Sequence, residues 1–380
     1  MTVLDQPIHT YLDTTPHKRS VSELIQMITP RDTPVLARIG LNSAMSKFQI
    51  REHATKIELL EDELHALETT ANQGTTITST TLSITVADGT FFQDGHMIEI
   101  GTEIMVVSVV AAQVLTIEAR GLGNSTKTTH AATAAIKIVG MARLEGDDAD
   151  YGPVIDITAP YNYTTIFQRA VKVTGTQQAI SQYGIADTFR YQSNKSVPHL
   201  LVLMERGFFK SERAVGAATT RRSMGGIGTF VSTNSASITT TITKAAVDSL
   251  AETVHLASGV FPDMLVLHPT AANNLRNLID SSSFVREDQD NAVFGMMEIE
   301  SVRTQYGNLE LVMDRHCHLN KAWMLNRDKV GGHFLKGRTL DSKMLSITGD
   351  STKGETVGEW TFLAANEKAH GYITTSAANL

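Results

Sequence analysis

The sequence predicts an α+β fold in which a small all-β module interrupts a larger mixed domain, and three observations predict it. Residues 67–145 are dominated by Thr, Ser, Gly and Ala, with apolar residues alternating at period two. Residues 187–215 give the most regular amphipathic helical signal in the chain. Stretches of extended style, 47–60 and 161–174, flank the β-rich region as the two limbs of one long loop would.

The elements follow in order. Residues 1–20 are polar, carry His17, Lys18 and Arg19, and show no apolar period, so they read as an extended arm. Ser22 is placed to cap a short helix, with Leu24, Ile25 and Ile28 on one face, that stops before Pro30. A second apolar patch, Val35, Leu36 and Ile39, ends at Gly40. After the extended stretch the chain turns acidic at Glu58, Glu61, Asp62, Glu63 and Glu68. In the β-rich region Leu82, Ile84 and Val86 share one strand face, Ile98 and Ile100 another, and Leu115, Ile117 and Ala119 a third. Turns fall at Asp88-Gly89, at Asp94-Gly95 and over 121–124, as in a small β-barrel or sandwich. A second acidic run, Glu145, Asp147, Asp148 and Asp150, closes this stretch, which is expected to be an autonomous inserted domain.

The long helix carries Phe189, Val197, Leu200, Met204, Phe208 and Val215 along one face, and Pro198 predicts a kink or a break into two helices. The glycine-rich stretch Met224-Gly225-Gly226-Ile227-Gly228 is expected to be a flexible hinge. A second amphipathic helix spans 243–258 with Ala246, Leu250, Val254 and Ala257 inward. The wholly apolar Met264-Leu265-Val266-Leu267, between Pro262 and Pro269, predicts a strand buried on both faces, and another helix covers about 270–280. From Leu309 to Ile373 the pattern is mostly strands with polar turns such as 350–354.

Composition narrows the function classes. A chain of 380 residues is long enough for two or three domains, and 42% hydrophobic with 19% charged residues is ordinary for a soluble protein. The net charge of −7 argues against a sequence-independent nucleic-acid binder, which needs a basic face. Cys317 is the single cysteine, so an intrachain disulfide is excluded and folding in a reducing cytosol is expected. The first residues lack the basic and apolar regions of a signal peptide, and no apolar run approaches the ~18 residues a membrane span needs.

Chemistry is sparse. HExxH, GxSxG, Walker and CxxC patterns are missing. His316-Cys317-His318 has metal-binding residue types, but on a strand the two imidazoles face one way and the thiol the other. Asp148-x-Asp150-x-Gly152 starts like a calcium loop, yet Ala159 stands where a bidentate Glu belongs. Arg221-Arg222 reads as a solvated or interface pair. No catalytic, metal or cofactor-binding residue is assigned, and no cofactor is expected. The informative cluster is acidic. If the inserted module leaves and rejoins the loop at one neck, Glu61, Asp62 and Glu63 lie near Asp147, Asp148 and Asp150. Six carboxylates there need cations or basic groups, which arginines of a neighbouring subunit would supply; the alternative is a screened, solvated face.

Several short strings, in order, carry a resemblance. The segment 28–36, Ile-Thr-Pro-Arg-Asp-Thr-Pro-Val-Leu, resembles an N-terminal segment of one group of tailed-phage major head proteins. Val173-Thr174-Gly175-Thr176 with Tyr183-Gly184 resembles that group's return from its extended loop. Tyr191-Gln192, Glu205 and Arg222-x-Met224-Gly225-Gly226-Ile227 are similar to its spine helix and the loop after it. Thr304-Gln305-Tyr306-Gly307, Gly349-Asp350-Ser351, Glu359 and Asn366-Glu367-x-Ala369-His370-Gly371 complete the series.

The resemblance implies the Hong Kong 97-type capsid fold. Its parts would be an N-terminal arm (1–46), an extended loop (47–66 and 146–172), a peripheral domain with the long spine helix (173–240 and 345–380) and an axial domain (241–344). The inserted β domain (67–145) departs from the minimal fold. It further implies a structural shell subunit rather than an enzyme, forming hexamers and pentamers of a phage head around packaged double-stranded DNA, assembled in the host cytoplasm. Scaffolding, portal and decoration proteins are the other partners implied, with no membrane partner. A mildly acidic subunit fits a wall that does not adhere to the DNA it encloses. Two alternatives stay open at this level: an encapsulin-like nanocompartment shell and a carbohydrate-binding adhesin or tail component. The second is poorly supplied, because Phe91 and Phe92 are the only aromatics in 67–145.

Overall fold

The computed structural model describes residues 32–40, 54–146, 152, 154–180, 185–239, 241–282, 301–346 and 348–375, with the backbone alone for 276–282. The arm over 1–20 and the helix expected at 22–28 lie outside the described residues. In chain order the elements begin with α1 (Pro34–Ile39), β1 (Lys56–Glu58), β2 (Glu68–Thr70), β3 (Ser83–Thr85), β4 (His96–Ile100), β5 (Glu103–Ala111), β6 (Val114–Arg120) and β7 (Ala135–Met141). Next come β8 (Tyr161–Tyr163), β9 (Thr165–Thr174), α2 (Gly175–Ala179), α3 (Thr188–Lys210), β10 (Ser235–Ile238), α4 (Lys244–Ser258), β11 (Met264–Leu267) and α5 (Pro269–Ser282). The last are β12 (Ser301–Thr304), β13 (Gly307–Met313), β14 (Lys321–Leu325), β15 (Val330–Phe334), β16 (Asp341–Met344), β17 (Ser351–Ala364) and β18 (Gly371–Thr375). They divide into two compact units, residues 1–59 with 160–380, and residues 60–159.

In the first unit a six-stranded sheet runs β10-β18-β14-β11-β13-β12, with β10–β18 and β11–β13 parallel and the other pairs antiparallel. All four residues of β11 are buried because this sheet is covered on both faces. Met264 and Val266 enter one core with Val35, Leu36, Met204, Phe208 and Trp360. Leu265 and Leu267 enter a second core with Val247, Leu250 and Val254 of α4. A second sheet is built on β17, which pairs antiparallel with β9 on one side and with β15 and β16 on the other. The long helix α3 packs against β9 and β17.

Several expectations change here. Helix α3 ends at Lys210, so Val215 lies beyond it and is exposed. It runs through Pro198 without a break: the missing N–H costs one hydrogen bond, while burial of Leu200, Met204, Phe208 and Phe209 fixes the half after the proline and Ser196 is buried before it. Gly225 and Gly226 are packed, not a hinge. A side chain at Gly226 would meet the carbonyl oxygens of Ser211, Phe209 and Phe208 at 2.9, 3.1 and 3.2 Å. The inward face of α4 is Val247, Leu250, Ala251 and Val254, so Ala257 faces out. His316, Cys317 and His318 lie in a turn after β13 rather than on a strand, with Cys317 buried.

In the unit 60–159 the strand order is β2-β7-β4-β5-β6-β3, antiparallel throughout. A bridge between Ala71 and Val86 joins the two edge strands, so the sheet closes on itself. Ile84, Ile98, Ile100, Met105, Leu115, Ile117 and Ile136 fill its interior. Leu82 is exposed, one residue before β3 begins. Glu103 and Arg120 are also buried and form a two-point ion pair at 3.0 and 2.8 Å. His130 and the Thr128 N–H complete the shell around Glu103. Burial alone would raise the Glu103 carboxyl, but Arg120, Thr128 and His130 outweigh it and hold it at about 2.

Candidate assembly site

Side chains from three parts of the chain anchor the strand pair that flanks residues 60–159 in sequence. Strands β1 and β8 pair Lys56–Glu58 with Tyr161–Tyr163. Asn162, fully buried, donates from Nδ2 to the carbonyls of Phe362 (2.8 Å) and Gly225 (3.2 Å). Its Oδ1 accepts the N–H groups of Gly225 (2.8 Å) and Tyr163 (2.9 Å). All its hydrogen-bonding directions are used, so β8 is tied to β17 and to the glycine loop. Tyr161 is held between two cations, with Lys56 Nζ and the Arg213 guanidinium each 4.2 Å from its ring centre.

Beside this anchor Glu359 of β17 is buried among two arginines. Arg222 pairs with its Oε1, Arg338 meets its Oε2 at 3.0 Å, and Thr164 Oγ1 donates to it at 2.5 Å. Arg222 also donates to the Thr164 carbonyl at 2.8 Å. Arg222 therefore belongs to this anchor rather than to a solvated pair, while Arg221 is exposed. Sequence patterns missed Asn162, whose polar side chain sits in an alternating stretch with nothing to mark it as buried.

The acidic neck is placed in part. Glu61 is hydrogen-bonded through its backbone to Thr158 in both directions, at 2.8 and 2.9 Å, so the outgoing and returning limbs pair there. Asp62 and Glu63 follow on the exposed side, and Asp62 Oδ1 accepts the Glu63 N–H at 3.0 Å. Asp147, Asp148 and Asp150 lie outside the described residues. The same limbs present large apolar side chains to solvent: Leu64 is 91% and Val154 86% exposed, with Leu60, Leu67, Leu144 and Ile157 also exposed. Glu61, Asp62 and Glu63 thus stand in sequence among exposed Leu60, Leu64 and Leu67. Among the described residues no group of three or more His, Cys, Asp or Glu side chains is arranged to hold a metal ion.

An α+β fold with a long helix across a β17-centred sheet is that of a shell-forming protein of the Hong Kong 97 type. The sequence profile of the SU10 major capsid protein family matches residues 8–377, and the chain belongs to that family. It is a structural protein of the phage head shell, not an enzyme. It self-assembles into a capsid shell, and its place is the virion capsid. The fold is shared with the cyanophage A-1(L) capsid asymmetric unit, at TM-score 0.58 and 11% identity over 97% of this chain and 99% of that one. A structure from Gordonia phage Cozz aligns at TM-score 0.52 and 10% identity, covering 99% of each chain. The capsid of a native GTA particle gives TM-score 0.51 and 10% identity over 95% of this chain and 96% of that one. No curated protein matches the chain.

Proposed function

We propose that the chain forms hexamers and pentamers of a tailed-phage head around packaged double-stranded DNA, and that the neck is a contact between subunits. The observation that carries the second part is the chemistry of the neck. Glu61, Asp62 and Glu63 stand among exposed Leu60, Leu64 and Leu67, an arrangement costly to leave in water and suited to an apolar and basic surface on a neighbour. Asp147, Asp148 and Asp150 join the same contact. In this reading 47–66 and 146–172 are the extended loop, 67–145 an inserted module, 173–240 with 345–380 a peripheral domain and 241–344 an axial domain. Assembly takes place in the host bacterial cytoplasm, with scaffolding, portal and decoration proteins as further partners.

The test is electron microscopy of the protein expressed alone, with light scattering of the same sample. Capsomers of five- and six-fold symmetry, tubes or closed shells are expected. A monodisperse monomer at high concentration would overturn the reading.

A further inference from the structure

Helix α1 has no side-chain cap of its own, because Thr33 makes no capping hydrogen bond. Glu205, in the middle of α3, takes that role from 170 residues away. Its Oε1 accepts the N–H of Val35 at 2.8 Å and its Oε2 that of Leu36 at 2.9 Å. Val35, Leu36 and Ile39 of α1 and Glu205 are buried. A lone carboxylate in that position would need a cation, and the group beside it is another acid. Asp314 is 1% exposed and within hydrogen-bonding reach of Glu205. Asp314 Oδ1 accepts the His316 N–H at 2.7 Å, while the buried Oδ2 has no donor among the described protein groups. A buried acceptor on an acid that neighbours a second carboxyl is satisfied when one of the two carries a proton.

The surroundings offer no other remedy. Burial, the largest influence on both, holds the His268 and His316 imidazoles toward the neutral form. The Cys317 thiol is pushed up by burial and then by Asp314. Arg315 is already held by Asp32, at 2.9 Å to each carboxylate oxygen. Arg206 and Lys210 occupy exposed positions of α3.

We propose that Glu205 and Asp314 share one proton, and that this proton fastens the Pro34–Ile39 helix to the long helix, so that this helix is held most firmly in acidic solution and is released as the solution turns alkaline. Burial first, and Asp314 second, raise the Glu205 carboxyl far above the usual carboxylate range, against the pull of the two N–H groups. The folded state then holds a proton that the unfolded chain has given up. The stabilisation is complete below the ordinary Glu value and is lost as pH rises through the raised one.

Hydrogen exchange of the full chain, read on the amides of residues 35–39 and corrected for intrinsic rates, tests this from about pH 6 to about pH 10. Wild-type protection is expected to fall by about tenfold per pH unit while the folded protein keeps the shared proton and the opened chain does not, and to level off once the folded protein has lost it too. Asp314→Asn supplies a fixed donor to Glu205 and should keep its protection across the range. Glu205→Gln loses one acceptor, so its protection should be lower throughout but level. A flat wild-type profile, or the wild-type decline persisting in Asp314→Asn, would overturn the proposal, and neither depends on whether shells form.

Discussion

His370 shows how a single side chain ties two sheets' ends together and makes the fold sensitive to acid. It is fully buried, its Nδ1 accepts the Asn326 N–H at 3.2 Å, and its Nε2–H is directed at the Ala365 carbonyl at 3.2 Å. Only the neutral ring serves both partners, and burial lowers the imidazole to about 4. The folded state therefore refuses a proton that the unfolded chain accepts near pH 6.5. The sign follows: stability is intact above that pH and declines as pH falls toward 4, by on the order of 3 kcal/mol in total. Urea unfolding at pH 7 and pH 5 should show about 2 kcal/mol of that loss in wild type and a smaller one in His370→Gln, which starts less stable at pH 7. Equal losses in both would assign the acid sensitivity to other groups. Nothing in the sequence marked His370 as buried; it stands between Ala369 and Gly371, and its environment comes from residues far along the chain. Arg120 was equally hidden, for a local reason. Alternation placed Leu115, Ile117 and Ala119 inward, but the β5–β6 register shifts between Val106 and Val107, so the parity changes after Ile117 and Arg120 points in.

Among the elements, the anchor of the β1–β8 pair depends on one amide. Asn162 satisfies four backbone groups of Tyr163, Gly225 and Phe362, so Asn162→Ala should cost about 3 kcal/mol by leaving buried N–H and C=O groups without partners. The check is the denaturant midpoint at unchanged slope. A variant as stable as wild type would mean that water replaces the amide. The elements themselves were largely legible. The 264–267 strand, the helices near 187–210 and 243–258 and the strands after Leu309 follow from apolar periods. Thr243 and Asp187, not singled out in the sequence, cap these helices by accepting the N–H groups of Ala246 and Arg190. Helix faces were less legible. In α4, alanines at 246, 251 and 257 fit several stripes equally well, and packing against β18 chose Val247 and Ala251. The glycine pair at 225–226 was read as freedom when its cause is lack of space. Close approach and a hinge demand the same residue, and only the neighbouring carbonyls distinguish them.

At the scale of the whole molecule the acidic neck carries the remaining prediction, since a contact between copies cannot be read within one. The six carboxylates were visible in the sequence; the exposure of Leu60, Leu64, Leu67, Val154 and Ile157 was not, because exposure is a property of the fold. The proposed contact has two separable components. Screening weakens exposed ion pairs as salt rises, each worth only ~0.2–1 kcal/mol but repeated at every interface of a shell. Apolar contacts do not weaken in sodium chloride, so the two parts answer differently to one titration. Wild-type shells are expected to lose intact particles as sodium chloride rises. Asp147→Asn with Asp148→Asn should leave the subunit folded, lower the intact fraction at low salt and flatten the salt dependence. Leu64→Ser should lower the intact fraction at every concentration and keep the wild-type slope. The measurement is the intact fraction by sedimentation against sodium chloride concentration, for the three proteins side by side. Superimposable curves for wild type and the double Asn variant would leave the carboxylates a solvated face, and an unaffected Leu64→Ser would remove the apolar half of the contact as well.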